Sequence, residues 1–434
     1  MATASFILPP ISKAEPGSTL QAAAGEGRQA VNAQAIVRAH EAIRPHISMT
    51  PCVEAKTLSA MLGCRLFLKF ENLQFTASFK ERGALNFLLS LDTDARARGV
   101  VAMSAGNHAQ GVAYHARRLG IAATIFMPRD TPFTKITRTR SLGADVRIEG
   151  ASLTEASAAA REHAQKRGAV FLHPFDDPLV IAGQGTLALE MLAQVPEIDT
   201  LVVPVGGGGL LAGMAVAARH LKPDIALYGA EPEHYRAMHQ YLNGETVSVG
   251  GDTVAEGLAV RDVGRLTAVI VRDLVDEVLI VDEAEIERAV CWLVDVEKTV
   301  VEGAGATGLA AVSRHRDRFA GRCVGVPLTG GNIDVRLLAS TLLRGLARDG
   351  RLVALSVSVP DAVGSLSAIT TSIANAGGNI VEIRHDRLFA RESARRATVE
   401  LVVEAQDREH VAAIVRALDA AGFPVAENPI HRQR

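Results

Sequence analysis

Short apolar runs alternate with amphipathic stretches along the first three quarters of the chain. Runs with strand character include residues 65–70, 100–103, 122–127, 201–205 and 324–328. The stretches between them have the spacing of helices, and strands that alternate with helices predict βαβ units with a mainly parallel sheet. Because several runs are bounded by glycine, we expect strands that are covered on both faces.

The pattern changes after Gly350. Residues 351–359 alternate between apolar and polar side chains, and a helical segment at 365–376 ends at two glycines. Two further strand-like segments, a helix and a last short strand follow, which gives the order βαββαβ of a ferredoxin-like domain. We therefore predict an α/β protein with a small C-terminal domain at residues 350–434, joined by a linker at 348–350.

Two segments could be mistaken for a signal peptide or a membrane span. Residues 1–30 are rich in Ala, Ser, Gly and Pro and lack a basic start followed by an apolar core, so we expect a flexible tail rather than a signal peptide. Residues 201–218 carry no charge, but Pro204 and four glycines interrupt them. A strand, a turn and a helix fit this segment better than a membrane span. We expect a cytoplasmic protein with no membrane contact.

Composition excludes several classes of partner. The 434 residues include 46 Lys and Arg against 48 Asp and Glu, a net charge of −2, and only 4% aromatic residues. Both numbers disfavour a nucleic-acid-binding protein, which needs a basic excess or stacking aromatics. The four cysteines form no CxxC pair or Cys/His cluster, so we predict neither a disulfide framework nor a zinc site.

Four consecutive glycines, Gly206–Gly209, stand between a predicted buried strand and a predicted helix. Glycine leaves backbone N–H groups unobstructed, and the start of a helix favours an anion. The run matches neither the GxxxxGK[ST] loop of nucleotide hydrolases nor a dinucleotide fingerprint. We interpret it as a phosphate-binding loop. The alternative is a tight turn that packs the helix against the sheet.

Lys80 opens a predicted helix directly after a turn-prone stretch. A helix N-terminus disfavours a cation, so an amine there can be held neutral or consumed as an imine, which suits Schiff-base chemistry. Taken alone, a solvated surface lysine is the more common interpretation.

Two more loops follow predicted strands. Residues 104–108 offer hydroxyl, amide and backbone N–H groups at a helix start, which can hold a carboxylate; the alternative is a capping turn with Ser104 or Asn107 as the N-cap. Residues 328–332 follow the strand at 324–328. Ligands of open α/β sheets collect at the carboxyl ends of the strands, so we expect these loops to meet.

Six segments in this order resemble threonine dehydratases: SFKERGA at 78–84, SAGNHAQGVA at 104–113, HPFDDPLVIAGQGT at 173–186, VGGGGLLAG at 205–213, EGAGATGLA at 302–310 and TGGNID at 329–334. The resemblance implies the tryptophan-synthase-β-like fold of pyridoxal-phosphate enzymes (fold type II), with two three-layer αβα subdomains. The catalytic domain would span residues 31–347, with the smaller subdomain inserted at about 67–175. The C-terminal domain resembles an ACT domain, a small-molecule regulatory module.

The resemblance also implies a cofactor, pyridoxal 5'-phosphate, and site residues. Lys80 would form the Schiff base and act as the catalytic base, Asn107 would bind the phenolic oxygen, and Thr329 would face the pyridine nitrogen. The implied cofactor-binding residues are Phe79, Lys80, Asn107, Gly206, Gly207, Gly208, Gly209, Leu210 and Thr329. The implied substrate-carboxylate residues are Ser104, Ala105, Gly106, Asn107 and His108.

The implied reaction is dehydration and deamination of L-threonine, and of L-serine, to 2-oxobutanoate or pyruvate and ammonia. A serine racemase, a 3-hydroxyaspartate dehydratase and a catalytically silent amino-acid sensor are the alternatives. Racemising relatives have serine at the position of Ala105, and the intact Lys80 disfavours the sensor. A branched-chain amino acid, isoleucine or valine, is the expected effector, and the chain is expected to form a homodimer or homotetramer.

Three positions depart from the family pattern. Ala77 stands where the family has glycine, and a positive φ there would cost about 1 kcal/mol. Glu231 lies where some relatives bind a divalent cation, but Tyr235 and its neighbours follow where another acidic ligand is wanted, so no metal site is predicted. The usual proline before Gly364 in the ACT domain is missing.

Overall fold

The computed structural model describes residues 31–386 and 395–427. The tail predicted for residues 1–30 and the end of the C-terminal domain at 428–434 lie outside the described residues. The strands, numbered in chain order, are β1 Cys52–Glu54, β2 Arg65–Lys69, β3 Val100–Met103, β4 Ala123–Met127, β5 Asp145–Ile148, β6 Val170–Phe171, β7 Thr200–Pro204, β8 Ala226–Pro232, β9 Glu277–Val281, β10 Cys323–Pro327, β11 Leu352–Pro360, β12 Asn379–Asp386, β13 Arg396–Glu404 and β14 Val425–Glu427.

The helices are numbered in the same way. They are α1 Ala33–Ile43, α2 Lys56–Leu62, α3 Lys80–Ser90, α4 Thr93–Arg98, α5 Asn107–Arg118, α6 Phe133–Ser141, α7 Leu153–Arg167, α8 Pro178–Gln194, α9 Gly209–Leu221, α10 Ala237–Leu242, α11 Arg265–Leu274, α12 Glu283–Asp295, α13 Gly303–Arg314, α14 Arg316–Phe319, α15 Val335–Arg348, α16 Ser365–Asn375 and α17 Arg408–Ala420. Among the described residues, no helix is both long and apolar enough to cross a membrane.

Two sheets form the first compact unit, which ends at Asp334. The larger has the order β1-β2-β10-β7-β8-β9, and all its strands are parallel except β1. The smaller has the order β5-β4-β3-β6 and is parallel throughout. The chain leaves the larger sheet after β2, builds the smaller one and returns at β7. The α/β prediction is confirmed, and β7 and β10 are buried along their whole length, as glycine-bounded apolar runs indicate.

The second compact unit spans residues 335–434 and contains the predicted βαββαβ order. Its antiparallel sheet has the order β12-β13-β11-β14, and alternate side chains of β11 and β13 pack with α16 and α17 in one core. The unit begins with α15, a helix that the sequence pattern does not predict, whereas the predicted linker lies later, at 348–350.

A buried ion cluster fixes the helix that begins at Lys80. Arg82 donates from Nε and Nη2 to the carboxylate of Glu71, and from Nη1 and Nη2 to that of Glu190, at 2.7–2.8 Å. Lys69 of β2 also donates to Glu190, at 2.6 Å. Two cations and two carboxylates thus join β2, α3 and α8 where all four side chains are buried. Bidentate guanidinium–carboxylate pairs are strong and directional, so α3 has little freedom to shift.

We expect Arg82→Met to lower the free energy of unfolding by roughly 3–5 kcal/mol, because it leaves two buried carboxylates short of a counter-charge. The control is Arg318→Met, which breaks an exposed pair with Glu277 and should cost less than about 1 kcal/mol. Urea unfolding followed by the fluorescence of the single tryptophan, Trp292, measures both. Equal losses in the two variants would contradict the role of the cluster.

Candidate active site

The site lies where several strands end and helices begin. The loop after β3 leads into α5, the loop after β7 leads into α9, and the loop after β10 carries Thr329. These are the loops that the sequence analysis expects to meet, and hydrogen bonds and close packing connect them to Lys80. Lys80 itself and the residues just before it in the chain make these contacts.

Lys80 is the first residue of α3, and its side chain is partly buried. Its Nζ donates to the carbonyl of Pro174 at 3.0 Å and lies 5.1 Å from the centre of the Phe79 ring. Burial lowers the pKa of the Lys80 amine from 10.5 to about 8, opposed by the carboxylate of Glu302. The amine is therefore far more often neutral at physiological pH than an ordinary lysine, and a neutral amine is a nucleophile and a base.

The turn before Lys80 is joined to the loop after β10. Ala77 has φ +55°, the positive value for which the family's glycine is suited, so alanine carries about 1 kcal/mol of strain here. Its carbonyl accepts from Gly331 N at 2.9 Å, and Phe79 N donates to the carbonyl of Thr329 at 3.1 Å. These two hydrogen bonds offset the strain at Ala77 and place the buried Thr329 next to the N-terminus of α3.

The four-glycine loop has no room for side chains. A Cβ on Gly207 would lie 2.4 Å from the Phe175 ring, and one on Gly209 would lie 2.8 Å from the Phe175 carbonyl. Gly208 has φ +88° and is the N-cap of α9. The first N–H groups of α9 have no partner within the helix, so they can bind an anion at the loop. Leu210, in that first turn, is buried.

The 104–108 segment also forms a helix start. Gly106 is the N-cap of α5 and has no side-chain cap, so capping by Ser104 or Asn107 is not what the structure shows. Ser104 Oγ instead accepts from Gly106 N at 3.1 Å. The side chain of His108 turns inward to the carbonyl of Leu172, and burial, then the charge of Lys80, lowers its pKa to about 3. His108 is therefore neutral, and only its backbone N–H suits a carboxylate.

Asn107 is held by two partners from distant parts of the chain. Its Nδ2 donates to Glu302 Oε1 at 2.6 Å, and its Oδ1 accepts from Asn332 Nδ2 at 2.7 Å. Asn332 Nδ2 also donates to the carbonyl of Thr76 at 2.7 Å, so Asn332 presents its NH2 group to Asn107 and fixes which end of the Asn107 amide faces Glu302. The second hydrogen on Asn107 Nδ2 remains available for a ligand oxygen. Burial raises the pKa of Glu302 to about 7, although the Asn107 bond acts against the shift.

The side chain of Glu231 is hydrogen-bonded to backbone N–H groups. Its two oxygens accept from Met238 N and His239 N, each at 2.9 Å, and burial raises its pKa to about 8. Within residues 31–386 and 395–427, no group of three or more His, Cys, Asp or Glu side chains is arranged to hold a metal ion.

Four residues near the site received no role from the sequence: Asp176, Thr267, Glu302 and Asn332. Three of them lie in or beside motifs that carry the family resemblance, HPFDDP, EGAGATG and TGGNID, so a signal was present for them. Thr267 lies in a helix, α11, that the apolar pattern did not reveal.

The chain is similar to known proteins along most of its length. A family model described as pyridoxal-phosphate dependent enzyme matches residues 43–330, and an ACT domain model matches residues 353–420. An L-threonine ammonia-lyase from Thermotoga maritima is 43% identical over 90% of this chain and 98% of its own. An L-threo-3-hydroxyaspartate ammonia-lyase from Pseudomonas sp is 40% identical over 71% of this chain and 98% of its own. The structure of maize serine racemase matches with a TM-score of 0.68 and 36% identity, over 74% of this chain and 99% of that one.

Proposed function

The chain belongs to the pyridoxal-phosphate dependent enzymes, and we propose that it dehydrates and deaminates L-threonine to 2-oxobutanoate and ammonia, and L-serine to pyruvate and ammonia. The observation that carries this proposal is the likeness to an L-threonine ammonia-lyase at 43% identity, which extends over 90% of this chain. The likenesses to a hydroxyaspartate lyase and to a serine racemase cover 71% and 74% of it.

The residues of the site fit the cofactor. The loop at Gly206–Gly209 excludes side chains, which leaves backbone N–H groups for a phosphate. The hydroxyl of Ser78, two residues before Lys80, is buried and has no hydrogen-bond partner among residues 31–386 and 395–427, as is expected of a polar group that binds a ligand. We assign Gly206–Gly209 and Leu210 to the phosphate, Asn107 to the phenolic oxygen, Thr329 to the pyridine nitrogen and Phe79 to the face of the ring.

When bound, the cofactor supplies an aldehyde that links covalently to an amine and a ring that withdraws electrons from the substrate Cα. Lys80 provides the amine and, once released, takes the Cα proton. The N–H groups of residues 104–108 orient the substrate by its carboxylate. Glu302 holds Asn107 in one orientation, and its pKa of about 7 lets it exchange a proton at neutral pH.

The proposal is tested by a turnover screen of L-threonine, L-serine and 3-hydroxyaspartate with the purified enzyme. We expect the highest kcat/KM for threonine, with 2-oxobutanoate and ammonia formed in equal amounts, and a loss of several orders of magnitude in Lys80→Ala. A preference for 3-hydroxyaspartate would contradict the proposed substrate. No turnover of any of the three would favour the amino-acid sensor.

The same incubation with L-serine separates the lyase from a racemase. Ala105 has no proton to deliver to the face of Cα opposite Lys80, so we expect pyruvate to far exceed D-serine in a chiral assay. D-Serine formed at a rate close to that of pyruvate would overturn this expectation.

Cofactor capture by the apoenzyme should follow the ionisation of Lys80. With a pKa near 8 instead of 10.5, roughly 300-fold more of the amine is neutral at pH 7. We expect the capture rate to increase with pH up to about 8 and then level off, and borohydride reduction with peptide mapping to find the pyridoxyl group on Lys80. Lys56→Arg, at an exposed lysine, is the control and should behave as wild type. A rate that still increases tenfold per pH unit above pH 9 would contradict the lowered pKa.

We also propose that the ACT domain binds a small branched-chain amino acid, isoleucine or valine, and that the enzyme is a cytoplasmic homodimer or homotetramer. The start of α16 supports effector binding. Gly364, at φ +92°, is its N-cap and has no side chain to cap the helix. Ser365 N donates to the carbonyl of Ala362 at 3.3 Å, so the N–H groups of Leu366 and Ser367 are the ones that would meet a carboxylate. β12 is an edge strand of the described sheet, and pairing with a second domain would satisfy its outer backbone groups.

Gly364→Ala should weaken the effector response and leave basal turnover unchanged, because alanine at φ +92° displaces the helix start. Gly422→Ala is the matched control, since Gly422 lies in the same domain at φ +83° and, like Gly364, has none of the described residues within 4 Å of the position that a Cβ would take. Activity is titrated with isoleucine and valine, where coupling typically changes apparent affinity 5–150-fold. Identical effector curves for the two variants would place the effector elsewhere.

A further inference from the structure

Three consecutive residues of the HPFDDP motif contact three different parts of the site. The Pro174 carbonyl accepts from Lys80 Nζ, and the Phe175 ring packs where a Cβ of Gly207 would stand. Asp176 lies at the N-terminus of α11. The family resemblance includes this motif, but the proposed reaction gives Asp176 no role.

Asp176 caps α11 from outside that helix. Its carboxylate accepts from three successive backbone N–H groups, those of Arg265 at 3.0 Å, Leu266 at 2.9 Å and Thr267 at 3.3 Å. The N-cap residue itself is Gly264, which has no side chain to accept these bonds. A Cβ on Gly264 would lie 2.4 Å from Asp176 Oδ1, so the capping carboxylate occupies the space of a side chain there.

The capped turn of α11 is bonded to the glycine loop. Thr267 is fully buried, and its Oγ1 donates to the carbonyl of Gly207 at 2.7 Å. Its Cβ also lies 3.0 Å from the position that a Cβ of Gly208 would take. Glycine has the widest backbone freedom, so a loop of four glycines keeps one conformation only through such contacts from its surroundings.

We infer that Asp176 is a positioning residue for the phosphate: by capping α11 it holds Thr267 against Gly207 and keeps the loop in its anion-binding conformation. The inference rests on the proposed assignment of the loop to the cofactor phosphate. Asp176 acts through the helix and the threonine, and it need not touch the cofactor.

The test compares two ligands that differ only in the phosphate. Apoenzyme is titrated with pyridoxal 5'-phosphate and with pyridoxal, and the ratio of the two dissociation constants gives the phosphate preference. In Asp176→Asn the negative charge at the N-terminus of α11 is lost, and the amide NH2 cannot accept the bond that Oδ2 takes from Arg265 N. We expect the phosphate preference to fall by about 2- to 30-fold, the range that corresponds to loss of a favourable charge at a helix N-terminus. Pyridoxal binding should change little, because Lys80 and Asn107 are intact.

Thr267→Val tests the connection between α11 and the glycine loop while the Asp176 cap stays intact. It removes the hydroxyl that donates to Gly207 and keeps the shape of the side chain. It also serves if Asp176→Asn does not fold. We expect a similar fall in phosphate preference, and a double variant no worse than the more affected single variant, because both changes break one path. Fully additive losses would overturn the path through Thr267.

Asp177→Asn is the matched control. Asp177 is the neighbouring residue and caps α8 through Leu179 N at 2.8 Å and Val180 N at 3.1 Å. It should lower thermal stability without changing the phosphate preference. If Asp176→Asn keeps the wild-type preference, or weakens both ligands equally, Asp176 is a structural cap and the inference is wrong. A wild-type enzyme that binds both ligands equally would instead refute the assignment of the loop.

Discussion

The position of Lys80, the amine that we propose as the reactive group, depends on a guanidinium two residues further along the same helix. Arg82 is held by carboxylates from Glu71 and Glu190, which belong to two different elements, and Lys69 completes the charge balance. All four side chains are removed from water. A buried charge is strongly destabilising unless it is paired, so a rotation or translation of α3 would cost free energy by leaving one of these four charges unpaired. Lys80 begins the helix that this cluster holds in place.

A second constraint is the low polarity around Lys80 and Glu302. Burial penalises the charged form of each, which lowers the pKa of the amine to about 8 and raises that of the carboxyl to about 7. Both groups therefore change protonation state close to neutral pH. The same burial keeps His108 neutral, so the segment that we propose for the substrate carboxylate would bind it through backbone N–H groups.

The glycine loop must be shaped by its neighbours because it has no side chains of its own. Phe175 packs on one side, and the Met238 methyl and Thr267 approach Gly208 on another. Met238 lies at the start of α10, where its N–H donates to Glu231. Thr267 lies at the start of α11, where its N–H donates to Asp176. Acidic side chains of this enzyme therefore stabilise the helices that pack against the loop we propose for the phosphate.

The alternation of apolar runs with helical spacing determined the α/β class and the βαββαβ domain, because both periods are local properties of the chain. The glycine loop was a candidate phosphate site from its own residues, whereas the role of Lys80 came from the family resemblance, which depends on several motifs in order along the chain. Helices α11 and α15 were not predicted, and only the fold brings Asn107 within 2.6 Å of Glu302, 195 residues away. The fold likewise brings Asp176 to the start of α11 and Thr267 of that helix to the carbonyl of Gly207. A buried polar group finds its partner across the core, and that pairing depends on how the strands order themselves in the sheet, which no local pattern encodes.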